Sequence, residues 1–147
     1  MLERKFTQYL EQFLREENNK ILLVNGARQI GKTYLIRYVG TRLFTHFVEI
    51  NLKEDKEGER VFSTVHSTTD LYMRLSNYYS KPLGDKSNTL VFLDEIQSYP
   101  HILTMLKFLN QEGRYSFIAS GSQLGMALAQ RLSRRMVRVV GPVTGSA

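Results

Sequence analysis

The sequence predicts an α/β fold in three layers, a mainly parallel sheet of about five strands covered by helices on both faces. Three observations predict it. Short continuous apolar runs alternate with stretches whose apolar residues recur at helical spacing, the pattern of successive βαβ units. The runs at 21–24 and 90–93 show no in-and-out alternation, as expected of strands buried on both faces. A length of 147 residues with 42% hydrophobic content fits one compact core.

The elements follow in order. Phe6, Tyr9, Leu10, Phe13 and Leu14 recur at helical spacing and predict an amphipathic helix over 3–17. The polar run 16–20 ends it, and residues 21–24 form the first buried strand. Gly26 and Gly31 bracket a tight loop, after which Leu35, Ile36 and Val39 share one face of a helix over 32–43. Residues 47–52 read as the second strand, and 53–60 as a charged, solvated loop. Leu71, Leu75, Tyr78 and Tyr79 predict a helix over 68–80, and Pro82, Gly84 and Asn88 a connection. Residues 90–93 are the third strand. Ile102, Met105, Leu106 and Leu109 define a helix that begins after Pro100 and is ended by Gly113. Residues 115–119 are a fourth strand and 136–140 a fifth. There is no internal repeat and no low-complexity segment.

Composition excludes several classes of function. There is no Cys, so disulfides and thiolate zinc sites are absent and a reducing cytoplasm suits the chain. No apolar run approaches the roughly 18 residues that a membrane helix needs, and residues 1–20 have no signal-peptide core. The net charge is +6. Arg131, Arg134, Arg135 and Arg138 lie in a final stretch without an acid, and removing these four from the +6 leaves +2. The basic balance belongs mainly to the tail, so binding of nucleic acid through counterion release is disfavoured as the main function. It would show as salt-sensitive binding that vanishes without residues 130–147.

Gly26-Ala27-Arg28-Gln29-Ile30-Gly31-Lys32-Thr33 matches the phosphate-binding pattern G-x-x-x-x-G-K-[ST]. Glycines allow the close backbone approach that a Cβ would block. Consecutive N–H groups then point at phosphate oxygens, and the following helix adds the positive end of its dipole. Lys32 can bridge the β- and γ-phosphates, and the Thr33 hydroxyl can ligate Mg²⁺. At ordinary residue frequencies a given window fits by chance on the order of a few times in 10⁵. Here the match also follows an apolar strand and opens a helix, the context that the motif requires. The fold is then that of a P-loop NTPase. Arg28 either approaches the nucleotide or braces the loop.

Leu90-Val91-Phe92-Leu93-Asp94-Glu95 is an apolar strand that ends in two acids. Ligands of open α/β sheets gather beyond the carboxyl ends of the strands, which brings Asp94 and Glu95 to the edge that carries the phosphate loop. Mg²⁺ keeps several waters and needs few protein ligands, so Thr33 and Asp94 suffice, with Asp94 acting through water. Glu95 is the expected group to orient or deprotonate the attacking water. Without the phosphate loop, two acids after a strand would mean only a solvated turn.

Taken together these stretches resemble a known family. Val24-Asn25-Gly26-Ala27-Arg28-Gln29-Ile30-Gly31-Lys32-Thr33-Tyr34-Leu35-Ile36-Arg37 is similar to the P-loop region of a large group of prokaryotic AAA-superfamily ATPases. In that group an N-terminal AAA domain precedes a C-terminal domain of unknown function. Phe47-Val48-Glu49-Ile50-Asn51-Leu52 resembles the family's second strand, and Leu93-Asp94-Glu95-Ile96-Gln97 its Walker-B segment. Ile118-Ala119-Ser120-Gly121-Ser122 resembles its fourth strand and polar end. The resemblance covers roughly residues 1–127. It implies five parallel strands with the fourth lying between the P-loop and Walker-B strands. That puts Ser120 or Ser122 near the γ-phosphate as a sensor-like residue, whereas the residues alone read as a strand-to-helix turn with a cap.

The tail departs from the family pattern. The family continues with a Gly-Arg pair, a fifth strand, a Pro-rich turn and a long C-terminal domain; residues 132–142 fit only in part. Arg135 is the candidate for the family's arginine. The expected organisation is an AAA core over 1–129 and a basic tail over 130–147 from a truncated or disrupted product.

Other residues carry less. His46, His66 and His101 are scattered without metal-ligand spacing. Tyr72, Tyr78 and Tyr79 at helical spacing read as packing, and no Ser/His/Asp order suggests a hydrolytic triad. The expected function is Mg²⁺-dependent ATP hydrolysis with Glu95 and Lys32 as catalytic residues. The alternative is a nucleotide-binding switch or assembly module without turnover, because lid and neighbouring arginine are missing. Adenine over guanine follows from the resemblance and from the lack of an Asn-Lys-x-Asp motif. Expected partners are ATP, further copies of the chain and the family's C-terminal domain; no membrane is expected, and the expected location is cytoplasmic.

Overall fold

The computed structural model describes residues 2–16, 20–25, 30–121 and 137–140. Five strands form one parallel sheet: β1 (Ile21–Asn25), β2 (His46–Asn51), β3 (Thr89–Asp94), β4 (Ser116–Gly121) and β5 (Val137–Val140). Their order across the sheet is β2-β3-β4-β1-β5, so the fourth strand lies between the first and third, as the family resemblance implies. From β1 the chain crosses to the edge strand β2 and returns through β3 and β4 to lie beside β1 again, and α/β sheets bind ligands in the crevice beyond the carboxyl ends of such strands.

The continuous apolar runs divide by parity, because successive side chains of a strand point to opposite faces. Leu22 and Val24 of β1, Leu90 and Phe92 of β3, and Ile118 of β4 pack in one cluster with Phe6, Leu10 and Phe13 of α1 (Leu2–Arg15) and Ile36 and Val39 of α2 (Ile30–Leu43). Their neighbours Ile21, Leu23, Val91, Leu93, Phe117 and Ala119 pack on the other face. There they meet three helices: α3 (Lys56–Phe62), α4 (Thr68–Tyr79) and α5 (Pro100–Glu112). The three layers are thus α1–α2, sheet, and α3–α4–α5. Arg37 of α2 donates two hydrogen bonds, each 2.7 Å, to Glu49 of β2 and ties the helix to that edge of the sheet. Gly40 lets α2 lie close over β2, since a Cβ there would stand 2.5 Å from Cε1 of Phe47.

The helix after Pro100 runs as expected. Proline takes the first turn, where its missing N–H is no loss, and Gly113 closes the helix in the left-handed conformation at φ 60°. The segment expected as a charged loop is corrected: α3 occupies Lys56–Phe62. Asp55 caps it by accepting hydrogen bonds from the N–H groups of Glu57 and Gly58, both at 3.1 Å. Glu57 and Glu59 in its first turn and Arg60 in its last suit the helix dipole. Only Gly58 and Phe62 of α3 are buried, too few for periodicity to appear in the sequence.

The tyrosines pack as expected. Tyr72 donates to Glu112 of α5 at 2.5 Å, Tyr78 donates to Asp55, and Tyr79 stands edge-on to His46. Among the described residues no group of three or more His, Cys, Asp or Glu could hold a metal. No described helix is long and apolar enough to cross a membrane. Most of the basic tail, including Arg131, Arg134 and Arg135, lies outside the described residues.

Candidate functional site

Parity also builds the candidate site. Asp94 follows Leu90 and Phe92 on the α2 face of β3, and Ser120 follows Ile118 on the same face of β4. Strand register brings them side by side. Leu93 pairs with Ala119, Asn51 with Asp94, and Ser120 with Val24 of β1. A polar row therefore crosses the carboxyl end of the sheet: Asn51, Asp94, Ser120. The Ser120 hydroxyl donates to Oδ1 of Asp94 at 2.6 Å, and Asn51 Nδ2 approaches Oδ2 at 3.5 Å. The backbone N–H of Leu52 donates to the Asp94 carbonyl at 3.0 Å and holds the end of β3 to the end of β2.

On that face α2 begins. Its first turn contains Ile30, Gly31, Lys32 and Thr33, the last four residues of the phosphate-binding motif. Helix N-termini carry unsatisfied N–H groups and partial positive charge. Lys32 is only 3% exposed, and burial pulls its pKa below the ordinary lysine value. Thr33 is half-buried. Gly26, Ala27, Arg28 and Gln29 lie outside the described residues, as does Ser122, and nothing of the Ile30 side chain is described. The strand that precedes them is nonetheless fixed: Asn25 ends β1 opposite Gly121. Adjacent strands lie about 4.8 Å apart, so the ends of β1 and β3 are roughly 10 Å apart with Ser120 between.

The expectation that Ser120 and Gly121 form a strand-to-helix turn is corrected. Both belong to β4, and the Ser120 hydroxyl donates to Asp94; Ser122, the other residue of the expected turn and cap, lies outside the described residues. Sheet pairing with β1 extends the strand through Gly121.

The two acids differ in setting. Asp94 is 6% exposed, and burial raises its pKa above the usual carboxylate value; the neighbouring charge of Glu95 adds to this, while the Ser120 hydroxyl and the Glu95 N–H oppose it. Glu95 is half-buried and lies in the left-handed region, φ 61° and ψ 45°. For a residue with a Cβ that conformation costs on the order of 1–2 kcal/mol, and it turns the chain sharply into a single 3₁₀ turn, Ile96–Ser98. Gln97 on that turn donates its side-chain amide to Oε2 of Glu95 at 2.5 Å. Asn51 and Gln97 are members of the site that sequence reasoning did not assign.

The burial of Asp94 leads to a prediction. An acid whose pKa is raised by folding binds its proton more tightly in the native state than in the unfolded chain. The ligand-free protein therefore loses stability as pH rises from the unfolded value near ~3.9 through the raised native one. Asp94→Asn removes the charge and keeps an oxygen for Ser120. It is expected to melt higher than wild type at pH 7 without ligand, by about 3 °C per ~1 kcal/mol recovered, and to lose the gap at pH 3. Thermal melts at the two pH values check this.

Comparison with known proteins agrees with the fold. The sequence matches the AAA domain family over residues 18–142. A search of curated protein sequences finds no match. Among solved structures, the crystal structure of Saccharomyces cerevisiae RIF2 is similar, with a TM-score of 0.57 and 14% sequence identity. The likeness covers 94% of this chain and 54% of that one, so this chain spans about half the length of the solved structure. At that identity the likeness bears on the fold alone.

Proposed function

The chain belongs to the AAA domain family, a nucleotide-binding family, and from that premise we propose that it binds ATP with Mg²⁺ and hydrolyses its terminal phosphate bond. The observation that carries the reading is the Ser120–Asp94 hydrogen bond. It ties the acid end of β3 to the strand paired with β1, on the face where α2 opens with Lys32 and Thr33.

The donor set suits Mg²⁺. Among the described residues, Asp94 Oδ1 accepts from Ser120 at 2.6 Å and Oδ2 from Asn51 at 3.5 Å. A buried carboxylate is stabilised by a cation, and a carboxylate with a hydroxyl makes a hard oxygen set. Asp94 and Thr33 would hold the ion. When bound, Mg²⁺ polarises phosphoryl oxygens and neutralises charge that develops on them.

The chain's own residues do the rest. The residues Gly26, Ala27, Arg28, Gln29, Ile30 and Gly31 would supply backbone N–H groups to the phosphates. Lys32 would place its ammonium against the β- and γ-phosphate oxygens; burial strengthens that attraction by excluding water. Glu95 would take a proton from water as the water oxygen bonds to the γ-phosphorus and the bond to the β-phosphate oxygen breaks. Ser120 keeps Asp94 in place, and Ser120 or Ser122 would meet the γ-phosphate. Turnover is completed by a lid or by an arginine from a neighbouring copy, as in other AAA modules.

The test is a calorimetric titration of ATP and GTP, with and without Mg²⁺, alongside phosphate release. ATP is expected to bind more tightly than GTP, in a Mg²⁺-dependent way, and to be hydrolysed. ATP bound without phosphate release at high protein concentration would leave a nucleotide switch. No Mg²⁺-dependent binding would remove the reading.

A further inference from the structure

We propose that Gln97 is the positioning residue for Glu95, and that Gly121 is glycine to leave room for it. The inference rests on the reading of Glu95 as the group that takes the proton from water. Two observations on separate elements carry it. Gln97 Nε2 donates to Glu95 Oε2 at 2.5 Å across the 3₁₀ turn. A Cβ on Gly121, at the end of β4, would overlap Oε1 of the same Gln97 amide and stand 3.3 Å from Cγ2 of Ile96. The Gln97 amide therefore lies against the backbone of β4 on one side and holds the Glu95 carboxylate on the other.

Consecutive residues of β4 thus set both acids. Ser120 holds Asp94 directly, and Gly121 holds Glu95 through Gln97. The left-handed backbone at Glu95 makes this useful. The turn that follows it brings residue 97 back toward residue 95, within reach of a side chain as long as glutamine. One carboxylate oxygen of Glu95 is fixed by the amide, which defines where the other can meet a water. A base oriented by a third group is a recurring device in enzymes, and a misplacement of ~1 Å can cost on the order of 10²-fold in rate.

The first test needs no nucleotide. In ¹⁵N-resolved NMR spectra of the ligand-free chain, the Gln97 side-chain amide is identified by its loss in Gln97→Ala. Its two protons are expected to be well separated, one shifted downfield by the Glu95 carboxylate. The separation is expected to collapse in Glu95→Ala and in Gly121→Ala, while the remaining resonances stay dispersed. Unseparated protons in the wild type, or a separation that survives both substitutions, would overturn the proposal.

The second test is kinetic. Gln97→Ala is expected to lower kcat by roughly 10–100-fold with KM and ATP affinity unchanged. Gly121→Ala is expected to do the same without altering either acid. The double variant is expected to be no slower than either single one, because both changes remove one contact. Losses that multiply, or a KM effect alone, would overturn it. Glu95→Gln separates the two readings. A Glu95→Gln protein that turns over normally removes the base, and the NMR result still decides the contact. An inactive Glu95→Gln protein beside a fully active Gln97→Ala protein removes the positioning role alone.

Discussion

Glu95→Gln is expected to retain ATP and to stop hydrolysing it. The substitution keeps the length of the side chain and its place beside Gln97, and removes only the capacity to accept a proton. General-base contributions run on the order of 10²–10⁴-fold, so phosphate release should fall by at least ~100-fold while the calorimetric dissociation constant stays within about twofold. The reason for expecting so clean a division lies in the two acids. Asp94 faces α2, is buried and is bonded to Ser120, whereas Glu95 leaves the strand through its left-handed backbone. In the proposed function their tasks are accordingly separate, with binding at the first and proton transfer at the second. Phosphate release at the wild-type rate from Glu95→Gln would show that another group activates the water.

Lys32→Met is expected to have the opposite profile, losing the nucleotide and keeping the fold. Lys32 is a buried cation whose charged form is disfavoured by its desolvation. A methionine of similar volume fills the same space, so the variant is expected to stay folded, which a thermal melt without ligand checks. With triphosphate bound, the lost charge leaves phosphate oxygens without their partner. Removing one member of a buried charged pair costs about 2–5 kcal/mol, or on the order of 10²-fold or more in affinity. Ligand binding at ~100 times the dissociation constant stabilises a protein by about 2.7 kcal/mol. Wild type should therefore melt several degrees higher with ATP and Mg²⁺, and Lys32→Met should show no such rise. An undiminished ATP-dependent rise in the variant would count against a phosphate role for Lys32.

The sequence made β1, β3 and β4 readable because each is a short apolar run buried on both faces, and α5 readable because Pro100 and Gly113 punctuate it. It did not make α3 readable. That helix owes its existence to a cap at Asp55 and one buried ring at Phe62, and its exposed charges look the same in a helix as in a loop. The candidate site was legible in its motif residues, Lys32, Thr33, Asp94 and Glu95, since their chemistry depends on residue type and local spacing. The partners were not. Asn51 meets Asp94 only through the register of two strands, and Ser120 reaches Asp94 only because β4 lies beside β3. Gln97 acquires its contact from the backbone turn at Glu95, which a glutamate in a sequence does not announce. Side-chain identity declares chemistry, and pairing across the sheet decides which chemistries meet.

The position of β4 has a consequence for biogenesis. The middle strand is the fourth to be made. While the ribosome is still short of residue 121, the nascent chain holds β1 on one side and the β2–β3 pair on the other with no strand to pair between them, and each presents an edge of unpaired backbone groups. Assembly must then wait for contacts between residues far apart in sequence, the slow kind, and the half-made sheet is open to association through those edges.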